Sequence, residues 1–388
     1  MARIPLAWKN LTHSLPKLAI ALSGVAFAVV LMFMQTGFRN ALFDSTVQPI
    51  DELNADSVIV SSARYSLSRS SRFPFDQLLA AQAIEGVADI QPLYIEMLAA
   101  VFRTGARRGR PIRVLGIDTH RSPLKNREIE SQLVKLRQPQ AALMDRRTKP
   151  VFGVLAKLAD KGIVQTGELA DQQIAIVGAF NMAADFANEG TLVISKENFA
   201  DYFPSRAGGR PLSIVDVGLV NVAPGADVNE VRRALTRRMP RELTVFTRKA
   251  FRAREIQFWS QSTPIGIIFG IGTIMGFIVG VIMCYQVIYT DISDHMAEFA
   301  TLKAMGYPPR FFARLVITES VYLSLLGFIP GLIISWLLFA VIASSTGLLM
   351  EMTVLRALLI LLLTLVMCVL SGAIALRRLI TADPASLF

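Results

Sequence analysis

Sites that hold metals or attack substrates are assembled from a few residue types, and this chain of 388 residues is short of them. It has two cysteines and three histidines, the latter scattered at His13, His120 and His295. No run has the spacing of a metal-ligand set, and Cys284 and Cys368 both fall inside apolar runs, so no disulfide framework is expected. The strings G-x-x-x-x-G-K-[ST], H-E-x-x-H and G-x-S-x-G are absent, which removes the commonest nucleotide, zinc-hydrolase and serine-hydrolase motifs. "SLPK" at Ser14–Lys17 matches S-x-x-K by itself, without the partners that chemistry needs. We therefore expect a chain that is not an enzyme and binds no cofactor of its own.

Charge is also missing, over long stretches. Leu18–Met34, Pro264–Thr290, Ser320–Met350 and Ala357–Leu376 contain no Asp, Glu, Lys or Arg. The chain is 53% hydrophobic with a mean hydropathy of +0.46. A bilayer core needs ~20 apolar residues in helical form, so four transmembrane helices are expected at 18–37, 263–290, 311–343 and 353–376. The first follows Arg3, Lys9 and Lys17, as a signal peptide would. Its core exceeds the ~7–15 residues of a secretory signal, and no small-residue cleavage site follows. An uncleaved helix is the better reading.

A basic N-terminus stays in the cytoplasm, which makes 1–17 cytoplasmic. Four crossings return the tail, 377–388, to the same side, where Arg377 and Arg378 agree. Residues 291–310 become a cytoplasmic loop, 344–352 a short outer turn, and 38–262 a large extracytoplasmic domain. That domain holds 31 Lys and Arg against 24 Asp and Glu. Long translocated domains escape the positive-inside bias, and basic residues facing away from the cytoplasm leave no role for nucleic acid. The clusters Arg103–Arg113 and Arg232–Glu242 are read as solvated faces, with docking of an acidic partner or anionic lipid as the minority alternative.

Within 38–262, "DSVIVSS", "RPIRVLGID", "QQIAIVGAF", "GTLVIS", "SIVDVGLVNV" and "ELTVFT" read as strands, while "QLLAAQAI" and "GADVNEVRRALTRRM" read as helices. "EMLAAVFRT" is expected to pair with "RPIRVLGID" across "GARRG". The expected fold class is a four-helix membrane protein with a large α+β domain inserted between helices 1 and 2. Ala63–Phe73, "ARYSLSRSSRF", reads as a mobile polar loop.

In the second span Gly272, Gly276 and Gly280 recur every fourth residue, clearing one face for close helix packing. In the third, Gly327, Pro330 and Gly331 form a candidate hinge, with a static bend as the alternative. Glu319 and Arg356 lie near span ends, where head-group contact or structural pairing is expected rather than a buried site.

Between the second and third spans stands "HMAEFATLKAMGYPP". Asp291 or Ser293 can cap a helix there, Gly306 suits its end, and Pro308–Pro309 stop it. Ile292, Met296, Phe299 and Ala300 project to one face; Asp294, Glu298, Thr301 and Met305 project to the other. A helix lying on lipid favours Lys and Arg on its polar face; acids there suit a protein partner.

"EFATLKAMG", Glu298–Gly306, resembles the E-x-A-x-L-[KR]-A-[MIL]-G signature of FtsX/MacB-like permeases of ABC transport systems, with Phe299 where Ile or Val is commoner. Ile4–Ser45, Val177–Phe199 and the terminal "DPASLF" are similar to DevC-type permeases, the heterocyst glycolipid exporter subgroup. The resemblance implies a coupling helix made of Glu298, Phe299, Ala300, Leu302, Lys303, Ala304, Met305 and Gly306. It implies docking on a separate ATPase that carries the ATP and Mg, a homodimer in the bacterial inner membrane, a periplasmic adaptor and, through it, an outer-membrane channel. The implied function is mechanotransmission, in which ATPase closure drives an amphipathic cargo, such as a lipid or glycolipid, onward from the periplasmic side. Lipoprotein release and cargo-free signalling to a periplasmic hydrolase remain open, and a membrane enzyme is the weakest rival.

Overall fold

The computed structural model describes residue 8 and residues 14–105, 108–182, 188–346, 348 and 350–381. Arg3, Lys9, His13, Arg107, the 183–187 part of Val177–Phe199, and the terminal "DPASLF" lie outside the described residues. The chain divides into two compact units, one holding Ala41–Pro264 with Ile342–Leu349 and the other the remainder.

Helix α1 (Leu15–Asp51) continues well past Gly37, where the first span was expected to end. The reason is a persisting helical pattern: Ala41, Leu42, Val47 and Ile50 are buried, and Thr46 Oγ1 donates back to the Leu42 carbonyl. The α+β domain then lays down β1 (Ser57–Ser61), β2 (Phe73–Pro74), α2 (Phe75–Gln82), β3 (Val87–Glu96), β4 (Val101–Arg103), β5 (Arg110–Pro111) and β6 (Arg113–Ile117). It continues through α3 (Arg127–Glu130), α4 (Leu133–Leu136), β7 (Ala141–Asp145), α5 (Leu155–Asp160), β8 (Gln165–Leu169) and β9 (Gln172–Phe180). It closes with β10 (Thr191–Ser195), α6 (Lys196–Tyr202), β11 (Ile214–Val215), β12 (Val217–Val222), α7 (Val228–Arg238), β13 (Leu243–Thr247) and α8 (Arg248–Gln261).

Eleven strands form one sheet in the order β13-β1-β12-β3-β6-β10-β7-β9-β8-β4-β5, and β2 pairs with β11 alone. β6 runs parallel to β10 and β7 parallel to β9; the remaining pairs are antiparallel. Both faces of the central strands are buried, which is why they read as unbroken apolar runs rather than alternating ones. Side chains still alternate by face. Ile59, Val114, Met144, Leu192 and Ile194 join one core, under Leu78 of α2, Phe199 of α6 and Leu235 of α7. Val58, Val60, Leu115, Leu143 and Val193 join the other, with Ile50 of α1, Ile129 of α3 and Phe251 of α8.

One expectation holds and one changes. Glu96–Thr104 pairs with Arg110–Asp118 as expected, with Val101 opposite Pro111, Phe102 opposite Arg110 and Glu96 opposite Val114, and β6 extends the pairing along β3 to Tyr94 opposite Gly116. Residues 63–73 are not a free loop, since Arg64, Ser66 and Leu67 are buried. Glu255 of α8 accepts from Ser66 Oγ at 2.8 Å, the Leu67 N–H at 2.8 Å and Trp259 Nε1 at 2.9 Å. Arg64 donates to Asp216 at 3.0 Å, and Arg206 to the same carboxylate at 2.7 Å. Seryl and arginyl side chains that read as solvent-seeking are here spent on buried acids.

Candidate functional site

The second unit contains α9 (Pro264–Asp294) from Ile265 on, α10 (Met296–Ala304), α11 (Pro309–Thr346) as far as Val341 and α12 (Val354–Thr381), together with the first part of α1. Among the described residues four helices, α1, α9, α11 and α12, are long and apolar enough to cross a membrane. The segment singled out by sequence, Glu298–Gly306, forms most of α10 and its cap.

α9 and α10 are separated by one residue. Asp291 and Ser293, the expected caps, lie instead in the last turn of α9, and the residue at the start of α10 is His295, with no side-chain cap bond. Helical hydrogen bonding crosses the joint, from the His295 N–H to the Asp291 carbonyl and from the Phe299 N–H to the His295 carbonyl. The acidic run "DISD" thus prolongs the second span rather than starting a new element.

The other end is sharply defined. Gly306 has φ +89°, its N–H donates to the Lys303 carbonyl at 3.1 Å, and the Tyr307 N–H reaches the Leu302 carbonyl at 3.2 Å. That pair of bonds is a Schellman cap, whose left-handed residue favours Gly. One face of α10 is buried through Phe299 and Ala300, and the Phe299 ring meets Phe312 of α11 edge-on with centroids 6.0 Å apart. Glu298, Thr301, Lys303 and Met305 are exposed, and Leu302 is half-buried. Ala304 lies in the last turn of the helix.

The remaining candidates pack within this unit. A Cβ on Gly272 would strike Gln35 of α1, and one on Gly280 would strike Met367 of α12 and Ala28 of α1; Gly276 leaves ordinary contact with Leu31 and Met32. Gly327 and Gly331 receive Val25 and Val29 of α1, on either side of Pro330, inside a helix that runs unbroken from Pro309 to Thr346. Glu319 is 4% exposed. Arg356 donates to the Glu351 carbonyl at 2.8 Å. The Cys284 and Cys368 sulfurs are 3.4 Å apart, joining α9 to α12.

Two participants were missed by sequence. Lys17 of α1 pairs with Asp294 at 2.6 Å across 277 positions of chain. Phe312 anchors α10 from α11. Lys17 carried a signal only as a topology marker, and Phe312 carried none.

Residues 263–384 match the family model of the FtsX-like permease C-terminal domain. Among curated proteins, no sequence matches. The solved structures that match include two periplasmic or extracellular domains. The periplasmic region of MacB from Actinobacillus actinomycetemcomitans has a TM-score of 0.35 at 11% identity, over 54% of this chain and 96% of that one. The extracellular domain of the noncanonic ABC-type transporter YknZ from Gram-positive bacteria has a TM-score of 0.31 at 8% identity, over 50% of this chain and 100% of that one.

Proposed function

We propose that this chain is the membrane subunit of an ABC exporter and that α10 is the lever through which a separate ATPase drives it. The observation that carries this reading is the construction of α10: a short capped helix between two spans, one face anchored on Phe312 and the other presenting Glu298, Thr301 and Met305. The FtsX-like domain match over 263–384 supports the same assignment.

Force applied to the exposed face has two exits. The His295 peptide, which donates to the Asp291 carbonyl and accepts from the Phe299 N–H, passes it to α9, and the Phe299–Phe312 contact passes it to α11. In this reading α10 and both chain ends are cytoplasmic, the α+β domain is periplasmic, and two copies work with two ATPases in the inner membrane. ATP and Mg reside on the ATPase. The DevC-like stretches Ile4–Ser45 and Val177–Phe199 favour a tripartite machine with an adaptor and an outer-membrane channel, moving a lipid or another amphiphile.

The test is co-purification of an ABC ATPase with this chain from the membranes of its own cell. Glu298→Lys reverses charge on the exposed face. Gly306→Pro demands φ near −65° where the backbone holds +89° and so destroys the cap. Together they should abolish co-purification while membrane insertion is retained. Undiminished co-purification would overturn the assignment of α10.

A further inference from the structure

The two arginine-rich clusters of the α+β domain differ in what their guanidinium groups meet. In the first, Arg103 pairs with Glu168 and Asp171, and Arg110 pairs with Glu189. Arg113 is buried and donates to Thr191 Oγ1 at 2.7 Å. In the second, α7 and the turn after it carry Arg232, Arg233, Arg237, Arg238 and Arg241. Among the described residues none of these makes an ion pair, and neither Glu230 nor Glu242 closes on them. Arg233 instead donates from Nε to the Asn229 carbonyl at 3.3 Å.

The helix itself does not account for this charge. Basic side chains favour a helix C-terminus, but the benefit is confined to the last turn, which holds Arg237 and Arg238 and not Arg232 or Arg233. Arg233 and Arg237 stand four apart on one face, a spacing at which like charges destabilise a helix. The core-facing stripe of α7 is Val231 and Leu235, and every exposed position is polar. At about 100° per residue, Arg233 and Arg237 crown the exposed face, while Arg232 and Arg238 flank the buried stripe on either side. A planar lipid surface resting on the crown meets two guanidinium groups and finds no apolar side chain to bury. A flexible acidic chain can fold over crown and flanks, and each planar guanidinium matches a carboxylate in two parallel hydrogen bonds.

We propose that α7 docks an acidic, extended segment of another protein, with Arg233 and Arg237 as the central contacts. The proposal rests on α7 alone and holds whether or not α10 receives an ATPase.

The test uses the full chain in phosphatidylcholine nanodiscs with fluorescein-labelled decaglutamate as the probe, and binding is read by fluorescence anisotropy. Raising NaCl from about 50 mM to about 300 mM should weaken binding about tenfold, because exposed charges are screened. Arg233→Gln with Arg237→Gln should weaken it by about tenfold, the scale of two exposed ion pairs. Arg103→Gln with Arg110→Gln removes the same charge from the same domain and should change it by less than about twofold, since those guanidinium groups are already paired. Equal losses in the two double variants, or binding indifferent to salt, would overturn the proposal. So would capture of the nanodiscs by phosphatidylglycerol vesicles without binding of decaglutamate, which would assign α7 to a lipid surface.

Discussion

Asp216 is the residue whose loss the α+β domain should tolerate least. It stands between β11 and β12, and its side chain is 1% exposed. One oxygen accepts from Arg64 at 3.0 Å and Arg72 at 3.3 Å; the other accepts from Arg206 at 2.7 Å and the Ile95 N–H at 2.8 Å. Arg64 and Arg206 are themselves buried, and burial lowers the Arg64 pKa, with Asp216 acting in the opposite direction. Asp216→Asn keeps the shape and removes the charge, leaving two guanidinium groups in the interior with Glu96 and Glu255 as the nearby acids. Removing one partner of a buried ion pair costs about 3–5 kcal/mol. With a urea slope near 2 kcal/mol/M, the midpoint should fall by about 2 M. The assay is urea unfolding of the full chain in detergent, with Trp8 and Trp336 replaced by Phe so that Trp259 of α8 reports on the domain. Arg103→Gln is the control, because its ion pairs with Glu168 and Asp171 are exposed and such pairs are worth less than about 1 kcal/mol. If Asp216→Asn shifts the midpoint no further than Arg103→Gln does, the network does not hold the domain together and the reasoning fails.

Burial pushes the Asp145 carboxyl up to about 7, against the lowering effect of the Arg147 and Met182 N–H groups. The folded state therefore binds a proton that the unfolded state has released, and stability falls as pH rises from about 4 to about 7, then levels. Asp145→Asn should flatten that slope in unfolding curves taken between pH 4 and 8, its effect limited to about 4 kcal/mol by a three-unit displacement. Glu255→Ala removes the acceptor of three hydrogen bonds, so trypsin should cut at Arg64, Arg69 or Arg72 at least tenfold faster than in the unmodified chain; equal rates would show that residues 63–73 are held by other contacts. Gly280→Leu should lower the yield of monodisperse protein after heating in detergent, because Met367 and Ala28 occupy the space, whereas Gly270→Leu should not, since nothing lies within 4 Å of a Cβ there.

The spans and the sheet were legible because each is imposed by a local rule. A charge-free run of bilayer length has few other uses, and strands such as Leu192–Ser195 announce themselves by composition even with both faces buried. What escaped the sequence depends on distance along the chain. Nothing near Asp216 tells a reader that Arg64, 152 positions earlier, will reach it. The serines of residues 63–73 raised an expectation of mobility because their local polarity is high, yet Ser66 Oγ is satisfied from Glu255, 189 positions later. The length of α1 was underread for a related reason: Gly37 and Arg39 look like a span's end, while the burial that sustains the helix to Asp51 comes from the core that Ile50 enters. In the candidate site, Glu298–Gly306 was legible as a helix with a stop, whereas Phe312 and Lys17 became visible only once α11 and α1 were brought beside it.

The size of α10 bears on how it could work as a lever. Nine residues are fewer than the ~12–15 that hold a helix in water unaided. Its order must therefore come from its surroundings, and three are in place: the two hydrogen bonds that His295 makes to Asp291 and Phe299, the Gly306 cap, and the buried pair Phe299 and Ala300. A partner docking on Glu298, Thr301 and Met305 then meets a face already formed and is spared an ordering cost of about 1–2 kcal/mol per residue. The same rigidity decides where displacement goes. A segment that folded only on contact would absorb a push by rearranging, whereas one tied at both ends and seated on Phe312 must move α9 and α11 with it. In the proposed reading, loosening any of the three supports should therefore both weaken docking, by returning that ordering cost, and uncouple the ATPase from the spans.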